Sequence, residues 1–180
     1  MNDTYVIQCY GVTKDPETNN FMMVMQYAFD GSLRQSLNKN FDSMSLKTKF
    51  IILYTISNGL HDIHKKKLIH QDFHSGNILN FGNGNFITDL GLCKPADEKS
   101  EKYNKNVYGV LPYVAPEVLR GKEYTQASDI YGFGIIAYEV CTGLPPYYDF
   151  VVNNFLNLYP LYSLQAYNFH LMDIVLYQNI

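Results

Sequence analysis

The sequence predicts an α+β fold: a remnant of a β-sheet at the N-terminus, a mainly α-helical body, and a tail of different character. Three observations carry this. Runs of β-forming and apolar residues at Val6-Ile7-Gln8-Cys9-Tyr10 and Phe21-Met22-Met23-Val24-Met25 flank a polar turn, Lys14 to Asn20. From Leu46, positions 46, 50, 53, 54, 57, 60 and 63 or 64 recur at threes and fours, with Ser57 as a small interior residue, which is helical periodicity. A second apolar run, Thr125 to Cys141, is closed by Gly143-Leu144-Pro145-Pro146.

In chain order, two strands alone cannot hold together in water, so residues 1–29 must belong to a larger sheet or lean on the helical body after them. Asp30-Gly31-Ser32 breaks the strand pattern. Ser43 or Ser45 can cap the helix from Leu46, and Lys65, Lys66 and Lys67 complement its C-terminal dipole. Short strands come next at Lys67-Leu68-Ile69, Ile78 to Phe81 and Phe86-Ile87-Thr88, with Gly82-Asn83-Gly84-Asn85 as a hairpin signal. Residues 91 to 112 read as a long functional loop. The 125–141 helix is apolar nearly all round, hence expected to be buried. Residues 151–180 lack Lys and Arg and carry Asp173 as their one acid amid six Tyr and Phe, a break in composition after the 30–150 body.

A net charge of −3 with 47% hydrophobic residues is ordinary for a soluble domain. No basic stripe points to nucleic acid, and no apolar run approaches the ~18 residues of a membrane span. A soluble, cytoplasmic chain is the default. Cys9, Cys93 and Cys141 have no paired spacing and read as buried thiols in a reducing compartment. His61, His64 and His170 have no partner at metal-ligand spacing and read as ordinary histidines.

The chemistry centres on Ile69-His70-Gln71-Asp72-Phe73-His74-Ser75-Gly76-Asn77. A loop Asp followed five residues later by Asn suits phosphoryl transfer, the carboxylate handling the attacking hydroxyl's proton and the Asn oxygen a metal ion. Asp89-Leu90-Gly91, twelve residues after Asn77, can add a second magnesium ligand at a strand end. Gly109-Val110-Leu111-Pro112-Tyr113-Val114-Ala115-Pro116-Glu117 and Asp129-Ile130-Tyr131-Gly132-Phe133-Gly134 complete the order.

With H-Q-D, D-L-G, A-P-E and D-I-Y-G-F-G in sequence, residues 4 to about 150 resemble the eukaryotic-type protein kinases, and within them the serine/threonine kinases of the tyrosine-kinase-like group. The resemblance implies ATP and Mg2+ as cofactors and a protein Ser/Thr hydroxyl as acceptor. It implies Asp72 as base, Asn77 and Asp89 as metal ligands, Met25 as gatekeeper, the Gln26 and Ala28 backbones as the adenine hinge, and Leu79 as the adenine floor. Gly109 to Tyr113 would receive the substrate, Asp129 would hold the catalytic-loop backbone, and Cys9, His70 and Leu90 would stack in one apolar column. His74 stands where many such kinases place a Lys that contacts the γ-phosphate, and neutral Gln71 stands where an Arg would read loop phosphorylation at Ser100, Tyr103 or Tyr108.

The family's Gly-rich loop, strand Lys and helical Glu are not found in residues 1–29, so the small lobe is read as truncated and the chain as weak or inactive. Glu117 is expected to lack its usual late Arg partner. The alternatives are a non-catalytic kinase-like interaction module and, remotely, a small-molecule phosphotransferase.

Overall fold

The computed structural model describes residues 5–97 and 107–148. They fall into two compact units, the first ending at Leu144; of the second, 145–180, only residues 145–148 are described.

Strands β1 (Cys9–Lys14) and β2 (Phe21–Met25) form an antiparallel hairpin with Lys14 opposite Phe21 and Cys9 opposite Met25. The first strand therefore lies later than the expected Val6–Tyr10. Val6 and Ile7 are taken instead by the body: Val6 bridges Ile87, and the Ile7 N–H donates to the Ile87 carbonyl at 2.8 Å. The turn is tightened by the Asp15 carboxylate, which accepts from the Glu17 N–H at 2.9 Å and the Thr18 hydroxyl at 2.6 Å. These bonds hold the Asp15 carboxyl below its ordinary value. Apolar side chains stand exposed along both strands, among them Val12, Phe21 and Met23.

Helix α1 (Leu33–Asn40) has no counterpart in the sequence reading, although its signal was present. Ser32 and Gln35 make a reciprocal capping box, the S-x-x-Q pattern of a helix start. Helix α2 (Leu46–Lys65) is capped by Ser45, not Ser43. Its buried face is Ile52, Ile56, Leu60 and Ile63, while Leu46, Phe50 and Tyr54 are 74%, 70% and 64% exposed. Leu60 and Ile63 of the expected stripe are thus buried and its Leu53 packs against the core, while Ile52 and Ile56 take the place expected of Leu46, Phe50 and Tyr54. Gly59 supplies the reason: a Cβ there would lie 2.6 Å from the Tyr5 carbonyl oxygen, so the Gly59 side is the one that lets strand backbone approach. Each buried Ile or Leu on that face is worth roughly 1.5–3 kcal/mol.

Lys67 in the left-handed region (φ 57°) turns the chain into β3 (Leu68–Ile69). Strands β4 (Ile78–Phe81) and β5 (Gly84–Ile87) pair in register Ile78 to Ile87 and Phe81 to Gly84. The last strand is shifted from the expected 86–88, leaving Thr88 just past its end. Within the expected 91–112 loop, β6 (Lys94–Pro95) pairs with β3. Helix α3 (Pro116–Leu119) is a single turn, and α4 (Gln126–Thr142) starts from a Thr125–Ser128 capping box and stops at left-handed Gly143 (φ 73°).

Helix α4 is not buried all round: Ile130 is 53% and Tyr138 41% exposed. Its inward face instead carries Ser128, Asp129 and Glu139 beside Gly132, Ile136 and Val140. Polar groups occupy the core side because they brace the neighbouring loop, so apolar residues spill outward. The thiols differ likewise from expectation, with Cys9 and Cys141 exposed and Cys93 half-buried. Among the described residues no helix is long and apolar enough to cross a membrane.

Candidate active site

The loop from His70 to Asn77 leaves β3 and is braced by α4. The buried Asp129 carboxylate accepts from the His70 N–H at 2.8 Å, the Gln71 N–H at 3.0 Å, and stands 2.9 Å from His64 Nε2. A buried carboxylate must be hydrogen-bonded, and these donors satisfy it. The bracing holds Gln71 in the left-handed region (φ 71°), a conformation that a non-glycine residue adopts only under constraint. The expected role of Asp129 is thus matched by geometry, and His64 is not an ordinary surface histidine but a third partner of the same carboxylate.

His70 links this loop to the β5 end. It is fully buried, accepts from the Asp72 N–H through Nδ1 at 3.3 Å, and meets the Thr88 carbonyl through Nε2 at 3.0 Å. The proton therefore resides on Nε2. Of the expected column of Cys9, His70 and Leu90, only His70 is buried; Cys9 is exposed and Leu90 is 39% exposed.

Asp72 has two unlike oxygens. Oδ2 accepts from Asn77 Nδ2 at 3.2 Å, and the Asp72 carbonyl takes the same amide at 3.0 Å. Oδ1 is buried with no hydrogen-bond partner; His74 Nε2 lies 3.4 Å away without bonding geometry. His74 accepts the Gly76 N–H through Nδ1 at 3.0 Å. Burial holds its imidazole below the ordinary value, with the Asp72 carboxylate working in the opposite direction.

The β4–β5 register brings Asn77 and Asp89 to the same end of one hairpin despite their separation in sequence. Asn77 precedes β4, Asp89 follows β5 by two residues, and the Thr88 N–H donates to the Asn77 carbonyl at 2.9 Å. With the Asn77 amide nitrogen spent on Asp72, its Oδ1 is left for a cation. Asp89 is exposed and left-handed (φ 59°). One carboxylate and one amide oxygen suit magnesium, which keeps several waters and takes phosphate oxygens for the rest. Among the described residues no group of three or more His, Cys, Asp or Glu gathers.

At the expected hinge, Met25 ends β2 and is 39% exposed. The Gln26 N–H is taken by the Gln8 carbonyl at 3.0 Å and the Ala28 carbonyl by the Gly31 N–H at 3.4 Å. Among the described residues the Gln26 carbonyl and Ala28 N–H keep no such bond, the pair of groups an adenine edge requires. Leu79 pairs with Phe86 and bridges Ser32, which ties the segment after the hinge to β4.

Gly109 (φ 95°) packs so close to Asp72 that a Cβ would lie 3.0 Å from Oδ1. The preceding Tyr108 is anchored by the Tyr124 hydroxyl, which meets both its N–H, at 3.0 Å, and its carbonyl. Tyr113 is buried; its hydroxyl accepts from Arg34 at 2.5 Å and lies 3.3 Å from Ser75 Oγ. Burial pushes this phenol well above its ordinary value and Glu139 adds to the effect, while Ser75 and Arg34 oppose it. Arg34 and Glu139 were missed from sequence, having no motif of their own. Glu117 is only half-buried; the buried carboxylate oxygens without partners among the described residues belong to Asp72 and Glu139. Ser100, Tyr103, Lys99, Lys102, Lys105 and His170 lie outside the described residues.

A profile of the protein tyrosine and serine/threonine kinase family matches residues 1–166. The chain is 34% identical over 131 residues to the serine/threonine-protein kinase CLA4 of Candida albicans, covering 72% of this chain and 13% of that one. It is 38% identical over 126 residues to the serine/threonine-protein kinase ste20 of Emericella nidulans, covering 69% and 14%. Against an Aurora kinase of Candida glabrata the figures are 30% over 148 residues, 82% and 40%. The chain thus spans 13% to 40% of the length of these relatives.

Proposed function

The chain belongs to the protein tyrosine and serine/threonine kinase family, and on that premise we propose that its site transfers the γ-phosphoryl group of ATP to Ser or Thr hydroxyls of a protein. The reading is carried by one observation: Asp72 keeps Oδ2 tied to Asn77 while Oδ1 is buried, unpartnered and beside Gly109. An acceptor-only oxygen in that state is poised for a hydroxyl proton. Magnesium-bound ATP supplies the phosphoryl group and neutralises charge on it. Asn77 Oδ1 and the Asp89 carboxylate would hold the cation, the Gln26 carbonyl and Ala28 N–H the adenine edge, with Met25 and Leu79 as its apolar neighbours. Positioning of this kind is most of what phosphoryl transfer asks of a protein. The serine/threonine choice is supported by the names of the relatives. We assign 1–29 to the adenine side and hinge, 30–150 to the body bearing the loops, and 151–180 to a divergent tail.

The test is Asp72→Asn assayed with ATP, magnesium and Ser or Thr peptides. Transfer should fall by at least about a thousandfold while nucleotide affinity stays within about twofold. Equal transfer by both proteins removes Asp72 as the base, and Mg-ATP binding without transfer by either favours a non-catalytic binding module.

A further inference from the structure

His74 and Asp72 face each other with a donor and an acceptor that do not satisfy one another. Nδ1 of His74 is spent accepting the Gly76 N–H at 3.0 Å, so the neutral ring carries its proton on Nε2. That Nε2 stands 3.4 Å from Asp72 Oδ1, beyond ordinary hydrogen-bond length, and Oδ1 is buried without a hydrogen-bond partner. The Tyr113 ring backs the imidazole at 5.8 Å between centroids and limits its rotation. Gly109 packs over the same oxygen, where any Cβ would press to 3.0 Å from Oδ1.

Resting on the kinase reading, we propose that His74 Nε2–H and Asp72 Oδ1 form a two-point seat for the acceptor hydroxyl. An oxygen beside the N···O line can sit at ordinary distances of ~2.7–2.9 Å from both atoms. It gives its proton to Oδ1 and accepts Nε2–H on one lone pair, which leaves the second lone pair directed at phosphorus. As that pair forms the new P–O bond, the hydroxyl proton moves to Oδ1, and the bond from phosphorus to the bridging oxygen breaks with its electrons leaving on ADP. His74 keeps its proton throughout. A neutral, directional donor therefore stands where the resemblance leads one to expect a Lys: it fixes the alcohol rather than the charge of the phosphate.

Two variants separate this from a purely structural role. His74→Asn keeps an acceptor near the Nδ1 position for Gly76 but no donor near Asp72; His74→Gln reaches the Nε2 position with an amide donor. With ATP and a Ser peptide, His74→Asn should lower kcat about tenfold or more with KM for ATP unchanged, and His74→Gln should stay within about threefold of wild type. The 15N chemical shifts of His74 in the wild-type chain at neutral pH should show protonated Nε2 and bare Nδ1. Rescue by Asn instead of Gln, wild-type activity in His74→Asn, or an Nδ1–H or doubly protonated ring overturns the seat while leaving the kinase intact. Absence of transfer in both wild type and Asp72→Asn overturns the kinase reading and the seat with it.

Discussion

His64 Nε2 and Asp129 Oδ2 lie 2.9 Å apart, on the same carboxylate oxygen that takes the His70 N–H at 2.8 Å. A helix-end imidazole and two loop amides thereby converge on one buried acid. Asp129→Ala removes the acceptor and strands buried donors, which should destabilise the chain by about 3 kcal/mol or more. Asp129→Asn keeps one acceptor oxygen and should recover roughly half of that. Urea unfolding checks both, and a loss under ~1 kcal/mol for the Ala variant would remove Asp129 from its bracing role.

Gly109→Ala should separate folding from chemistry. A Cβ would meet Asp72 Oδ1 at 3.0 Å and the Gln71 carbonyl oxygen at 3.4 Å, and Ala is strained at φ 95°. The strain costs about 1–2 kcal/mol, small beside a domain's total stability, yet it displaces the carboxylate proposed to take the proton. Transfer to a Ser peptide should drop about a hundredfold, with nucleotide affinity retained. Unchanged kcat would mean that the alanine is absorbed away from Asp72.

Asp89→Asn keeps a residue type tolerant of the left-handed backbone found there (φ 59°), so folding should be unaffected. The charge on the cation is lost. Calorimetric affinity for Mg-ATP should weaken at least about tenfold, while any magnesium-free nucleotide binding stays constant. Equal weakening with and without magnesium contradicts the metal-ligand assignment.

Cys93 should resist alkylation. Burial first, then the Asp129 and Asp89 carboxylates, push its thiol up to about 11. At pH 8 only ~0.1% is thiolate, rising about tenfold per pH unit, whereas Cys9 and Cys141 are exposed. Peptide mapping after iodoacetamide at pH 8 should find Cys9 and Cys141 modified and Cys93 spared until the pH approaches 10 or above. Modification of all three at equal rates would show that the loop opens readily.

The loop motifs were readable because their chemistry fixes residue type and order, and the Gly82-Asn83 turn already implied that Asn77 and Asp89 share one hairpin end. The α2 face was legible only in part: Leu60 and Ile63 of the expected stripe are buried, but the burial of Ile52 and Ile56 in place of Leu46, Phe50 and Tyr54 goes with the Tyr5 backbone lying against Gly59. Local periodicity holds no record of that neighbour. The polar inward face of α4 was legible only in part: the motif marked Asp129 as the brace of the loop, whereas Glu139, buried beside Tyr113 far away in sequence, carried no mark. His64 lacked any local mark. Helix α1 was legible and overlooked: Ser32 and Gln35 spell its cap, but Asp30 and Gly31 before them read more strongly as a break.

The separation of 59 positions from His70 to Asp129 also imposes a schedule. Synthesis runs from the N-terminus, so the loop bearing Asp72 emerges well before the helix that braces it. Until α4 is made and docked, the His70 and Gln71 amides have only water to bond and Gln71 has no reason to hold its left-handed turn. A nascent or partly unfolded chain therefore displays the motif without the site, which assembles only with completion of the helical unit. In the finished protein the same two amides should exchange with solvent only when α4 detaches, making them reporters of whole-unit opening rather than of local fraying.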